Sequence, residues 1–260
     1  MTDTAAASEE RETSGKPATP KRAGKREIWL AYWAFSIFYT ALTVGICLLG
    51  RATPPPRPDV TALQAAAWFD KHELGIQVGF VFLLVIAGGA AFSNGIIGYF
   101  MMRMSSGKML AYAYIGAMGV GAIPGFQIIL VCWLTATFRP DRSPDILYLL
   151  YDLGMLSYNG SLGCFTAAYT VVAIAIMYDK NGIFPKWFAY VTVWQIVTEL
   201  LASQMWLYHS GAFAWNGLIT LYIAIVIFGL WIVCFLALLR KAARRETADT
   251  PALYEPEGTR

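Results

Sequence analysis

Six long apolar runs, separated by short charged or turn-forming segments, make up most of this chain, at roughly 28–50, 74–102, 109–137, 147–178, 187–209 and 215–239. A helix needs about 20 mostly apolar residues to cross the hydrocarbon layer of a bilayer. Backbone polar groups cannot go unpaired there, so each run predicts a transmembrane helix. Two runs exceed the minimum by a good margin and must tilt or project into water. The pattern therefore predicts an all-α integral membrane protein, a six-transmembrane-helix bundle over residues 28–240.

The flanks read differently. Residues 1–27 and 241–260 are polar and cannot bury enough apolar surface to fold, which predicts disordered tails. The N-terminal basic residues lead into a full-length apolar run with no small-residue cleavage site, so a cleavable signal peptide is not expected. Of the 20 Lys and Arg residues, Arg51, Arg57, Lys71, Arg139 and Arg142 fall on one side of the six-span arrangement and all others on the opposite side. The excess marks the cytoplasmic side, which puts both termini in the cytoplasm of a multi-pass cell-membrane protein. Trp29, Tyr178, Trp187 and Trp215 sit at run ends, where aromatic belts form. The outer loop, 51–73, opens on three prolines. Asp59 then reads as a helix cap, and Val60, Leu63, Ala67 and Trp68 share one face of a short helix lying in the interface.

Composition narrows the function classes. Hydrophobic residues are 57% and charged residues 14% of the chain, against about a quarter charged in soluble domains. The net charge of +3 is too small to point to nucleic acid, so the partner is the bilayer. Cys47, Cys132, Cys164 and Cys234 fall singly in separate apolar runs, which excludes zinc clusters and a disulfide framework. The last run has no lysine for retinal, and paired haem-ligating histidines are absent. Phosphate loops, GxSxG and HExxH do not occur. No metal and no cofactor is expected.

What remains is a set of polar residues at membrane depth, where each is by default a functional candidate. Glu199 lies ten residues before His209, roughly 15 Å inside the outer boundary at the helical rise. Gln195 and Ser203 flank it at one turn, and Trp206 follows on the same side. Gln127 and Asn159 reach the same layer on the third and fourth spans, with Gln77 and Asp152 above them. Gly88-Gly89 falls near that level too, and Pro124-Gly125 breaks the third span. Asp152, Asn159, Gly163 and Thr166 share one helix face. The column predicts an outward-open intramembrane pocket, with Glu199 and Asp152 as its chemically active groups. Gln77, Gln127, Asn159, Gln195, Ser203 and Trp206 would then be ligand contacts.

Three functions fit this pattern. One is binding or transport of a lipophilic small molecule, with Glu199 holding the ligand or carrying a proton. Another is an intramembrane acid–base enzyme, an isomerase or cyclase acting on an isoprenoid or sterol-like substrate. The last is an accessory subunit, in an oligomer or with a partner membrane subunit, whose polar residues only join helices. The stretch IFPKWFAYVTVWQ followed by SGAFAWNG resembles a pattern found among polytopic bacterial membrane proteins; it covers the last third and implies no activity.

Overall fold

The computed structural model describes residues 24–139 and 141–248, and among them the regular structure is entirely helical. The tails expected at 1–23 and 249–260 lie outside the described residues. Helix α1 (Lys25–Thr43) starts where Gly24 N donates to Glu27 Oε2 at 3.0 Å, which satisfies an end donor. It runs on into a π-helical turn, Val44–Leu49, as one apolar helix of 25 residues.

The chain then forms α2 (Ala62–Ile86), α3 (Gly89–Met102), α4 (Lys108–Ala122) and α5 (Ile128–Thr137). These are followed by α6 (Pro144–Tyr158), α7 (Leu162–Tyr178), α8 (Lys186–Ala202) and α9 (Ala224–Ala248). Three continuous helical stretches are long and apolar enough to cross a membrane: Lys25–Leu49, Pro144–Tyr178 and Leu218–Thr247. The α2–α3 and α4–α5 pairs pass the same test only jointly, bent by 46° and 43°, which brings the total to as many as five. Helix α8 has 17 α-helical residues before it tightens into a 3-10 turn, Ser203–Trp206, and this stretch is not among them.

Three boundaries differ from the sequence expectation. The cap of α2 is Thr61, not Asp59: Thr61 Oγ1 accepts from Gln64 N at 3.3 Å and Gln64 Oε1 accepts from Thr61 N at 2.9 Å. This reciprocal pair satisfies two end donors at once, while Asp59 pairs with Arg57 at 2.7 Å. The expected interfacial helix is simply the first part of α2, because nothing between Phe69 and Ile76 breaks a helix. At the other end, α9 continues to Ala248, through residues expected to be disordered. Ala242 and Ala243 are buried there, and Glu246 accepts from Tyr99 Oη at 2.9 Å and pairs with Arg103 at 3.2 Å.

The breaks divide the bundle into two packing groups. Helices α2, α5 and α6 pack on one another around Phe69, Phe80, Trp133, Tyr151 and Trp215. A second core joins α1, α3, α4, α7, α8 and α9 through Phe35, Phe100, Phe188, Trp231 and Phe235. Each core is knit by edge-to-face and stacked rings, such as Trp133 on Tyr151 at 5.6 Å and Trp231 on Phe235 at 4.8 Å. The π turn Ile123–Gln127 packs against the 3-10 turn Asn159–Ser161, so two of the broken helices meet at their breaks. Gly121 and Gly125 permit this contact: a Cβ on either would collide with Cys164 or Ser161.

Glycine also sets the approach of α1 to α2. Gly75 and Gly79 form a GxxxG spacing against the π turn; a Cβ at 75 would strike Leu49 O, and one at 79 would lie 2.6 Å from Leu49 Cβ. The proline-rich loop before α2 is strapped down. Pro56 O accepts from Tyr151 Oη at 2.8 Å and from Trp215 Nε1 at 2.9 Å.

Candidate functional site

Helix α8 begins after Pro185, whose fixed φ suits a helix entrance. Its buried face carries Phe188, Ala189, Thr192, Gln195, Thr198 and Ala202, the spacing of one helical stripe. Polar residues on that stripe satisfy themselves largely within the helix. Thr192 Oγ1 donates to Phe188 O at 2.9 Å and accepts from Trp231 Nε1 of α9 at 3.1 Å. Thr198 Oγ1 donates to Gln195 O at 2.8 Å.

Gln195 is the exception. It is 2% exposed, and its Nε2 donates to Glu199 Oε1 at 2.8 Å. Its Oε1 is buried with no hydrogen-bond partner. Glu199 is partly buried one turn further on. An acid held by an amide whose own acceptor is idle can accept or donate a hydrogen bond to a hydroxyl or carbonyl brought to it. A buried polar atom without a partner is costly and uncommon.

The other sequence candidates scatter around this pair. Ser203 Oγ donates back to Leu200 O at 2.6 Å, and Trp206 is half exposed at the end of the 3-10 turn. Gln127 is exposed. The backbone of Asn159 opens the 3-10 turn, and its side chain lies outside the described residues. Gln77 is spent on the fold: its Nε2 donates to Thr137 O at 2.9 Å, joining α2 to the end of α5, and to Glu73 Oε1 at 3.0 Å. Asp152 is half-buried on α6 with Oδ1 unpartnered, in electrostatic reach of His209.

The geometry thus joins Gln195 to Glu199 and leaves Gln77 and Asp152 in the α2–α5–α6 group. Helix α8 packs chiefly on α7 and α9. Two concavities lie against α2, and neither is lined by Glu199 or Gln195. No group of three metal-ligating side chains occurs among the described residues.

A polar centre that sequence reasoning missed lies in the turn between α7 and α8. Asp179 is 3% exposed. Its Oδ1 accepts from Ser105 N and Asn181 N, each at 2.9 Å, and from Ser105 Oγ at 3.3 Å; its Oδ2 accepts from Ile183 N at 2.9 Å. Burial pushes this carboxyl up, but the bonds from Ser105, Ile183 and Asn181 outweigh it and hold the group below the usual carboxylate range. Lys186 Nζ donates to Ile176 O and Met177 O at 2.6 Å and to Asp179 O at 2.7 Å, capping the carbonyl end of α7. The signal was an aspartate followed by Asn-Gly directly after an apolar run, a turn pattern.

No family model matches the chain, and no curated protein or solved structure is significantly similar to it.

Proposed function

We propose that the chain is a multi-pass cell-membrane protein that binds or transports a lipophilic small molecule in an intramembrane pocket opening toward the outer leaflet. Glu199, oriented by Gln195, anchors the polar group of that molecule. The observation that carries this reading is the pairing of Gln195 with Glu199 at 2.8 Å while Gln195 Oε1 stays buried and unpaired. Trp194 on α8 and Trp206 at the end of the following 3-10 turn, both at least half exposed, offer an apolar approach from the bilayer. An acid–base enzyme with Glu199 as acid and Asp152 as its partner would need both carboxyls at one cavity. Asp152 belongs to the other packing group, so no observation favours that alternative.

The test is the set of hydrophobic small molecules retained by the purified protein, read by mass spectrometry across a pH series. Glu199→Gln keeps the shape of the side chain and removes its titratable proton. This variant should fold normally, retain far less of whatever the wild type carries, and lose the pH dependence of retention. Unchanged retention with an unchanged pH profile would sink the proposal and favour an accessory subunit with Glu199 as helix glue.

In the same reading the helices make six crossings with both termini in the cytoplasm, α8 and its 3-10 extension, residues 186–206, supplying one of them. The α3–α4 turn, the α7–α8 turn and the end of α9 are tied together through Ser105–Asp179, Asn181–Arg103 and Arg103–Glu246. That end also carries the excess of Lys and Arg. Cysteines introduced near residues 10 and 250 should resist a membrane-impermeant maleimide in intact cells and react after permeabilisation. Labelling without permeabilisation would overturn the orientation.

A further inference from the structure

An open groove of about 230 Å³ lies between the π-helical end of α1 and α2, lined by Leu48, Leu49, Arg51, Lys71, His72 and Gly75. Its lining is cationic and apolar, with no acid. Helix α2 separates its charges by face: Asp70 and Glu73 line a different concavity, together with Arg139 and Thr137. Arg51 and Lys71 enter no ion pair or side-chain hydrogen bond among the described residues. His72 is fixed as a wall, its Nδ1 donating to Trp68 O at 2.8 Å with its ring 4.8 Å from the Trp68 ring.

The backbone is specialised at the same place. Arg51 has φ of 49°, the one non-glycine residue in the left-handed region among the described residues. This is the left-handed position that closes a helix C-terminus, with Ala52 N donating back to Ile46 O at 3.0 Å. The groove floor depends on Gly75, where α2 meets Leu49 O with no room for a side chain. Leu48 of the lining is 60% exposed, and Leu74, next to Gly75 in sequence, is 73% exposed. The apolar stretch Lys25–Leu49, long enough to cross a membrane, ends at this groove. Two unpaired cations therefore sit at the polar end of a membrane helix beside exposed leucines.

We propose that this groove binds the phosphate headgroup of an anionic phospholipid, with Arg51 and Lys71 on the phosphate and the acyl chains along Leu48 and the α1 surface. The site is separate from Glu199 and does not depend on the function proposed there.

The test uses full-length protein in neutral detergent, titrated with phosphatidylglycerol, phosphatidylcholine or inorganic phosphate and read by native mass spectrometry. Phosphatidylglycerol should bind, phosphatidylcholine should bind much more weakly, and millimolar phosphate should not displace the lipid. Arg51→Gly and Lys71→Gln should each lower phosphatidylglycerol affinity about five-fold, as expected for one cation at an anionic membrane surface. Glycine accepts the positive φ, so Arg51→Gly should lose lipid without losing thermal stability, which separates binding from folding. Neutralising Arg240, Lys241, Arg244 and Arg245 to glutamine should leave this affinity unchanged. Equal binding of phosphatidylcholine, or full affinity in the Arg51→Gly, Lys71→Gln double variant, would overturn the proposal. Displacement by phosphate would overturn it in favour of a soluble-anion site.

Discussion

Asp179→Ala should lower stability by about 1.5–3 kcal/mol, the range for hydrogen bonds to a charged group. The carboxylate is nearly fully buried and accepts from three backbone N–H groups and one hydroxyl, binding the α3–α4 turn to the α7–α8 turn. Alanine would remove the acceptor of Ser105 N, Asn181 N and Ile183 N together; water can reach the exposed Ser105 and Asn181, while the donor of the half-buried Ile183, left unpaired, costs about 1–3 kcal/mol. Asn is a poor substitute, since its amide nitrogen would face one of these donors. The pH dependence has a definite sign. The folded carboxyl titrates below its ordinary value of 3.8, so its stabilisation is complete above that value and is lost as the pH falls through the folded value. Thermal midpoints in detergent should therefore show a large gap between wild type and Asp179→Ala at neutral pH. The gap should narrow below pH 3.8. Equal midpoints at neutral pH would show that the two turns are held by something else.

Glu199→Leu should damage the protein in a way that a second change repairs only in part. Leucine removes the hydrogen-bond partner of Gln195 Nε2, and Gln195 Oε1 is already unpaired. A buried amide with neither end satisfied costs roughly 2 kcal/mol or more. Removing both polar partners is close to neutral, because no orphaned group remains. The Gln195→Leu, Glu199→Leu double variant should therefore recover most of the lost thermal midpoint. It should not recover retention of the lipophilic molecule, since the anchor is gone. A double-mutant cycle of midpoints measures the coupling. Recovery of both stability and retention would assign the pair to helix structure alone.

The apolar runs determined, from sequence alone, that the chain is helical and apolar enough to enter a membrane, because hydrophobic content and helical spacing are local properties. The contact of Gln195 with Glu199 was legible for the same reason, since residues one turn apart on a helix are neighbours. The GxxxG spacing at Gly75 and Gly79 was also present in the sequence. Its partner, the π turn ending at Leu49, was not.

The tertiary structure decided which polar residues meet across the bundle. The sequence placed Gln77, Gln127, Asp152 and Glu199 in one column by counting residues from the boundaries of straight spans. The bends at α2–α3 and α4–α5 and the 3-10 turn at Asn159 break that count. Depth along a helix then no longer gives position in the bundle. Gln77 meets Thr137 O, 60 residues away, and Asp179 meets Ser105, 74 residues away. Arg51 and Lys71 share a groove only because a left-handed turn follows α1 and two glycines let α2 approach it. Apolar pattern specifies how much of each helix is buried, whereas the partners across an interface depend on where the backbone bends and how closely it can approach, which no local periodicity encodes.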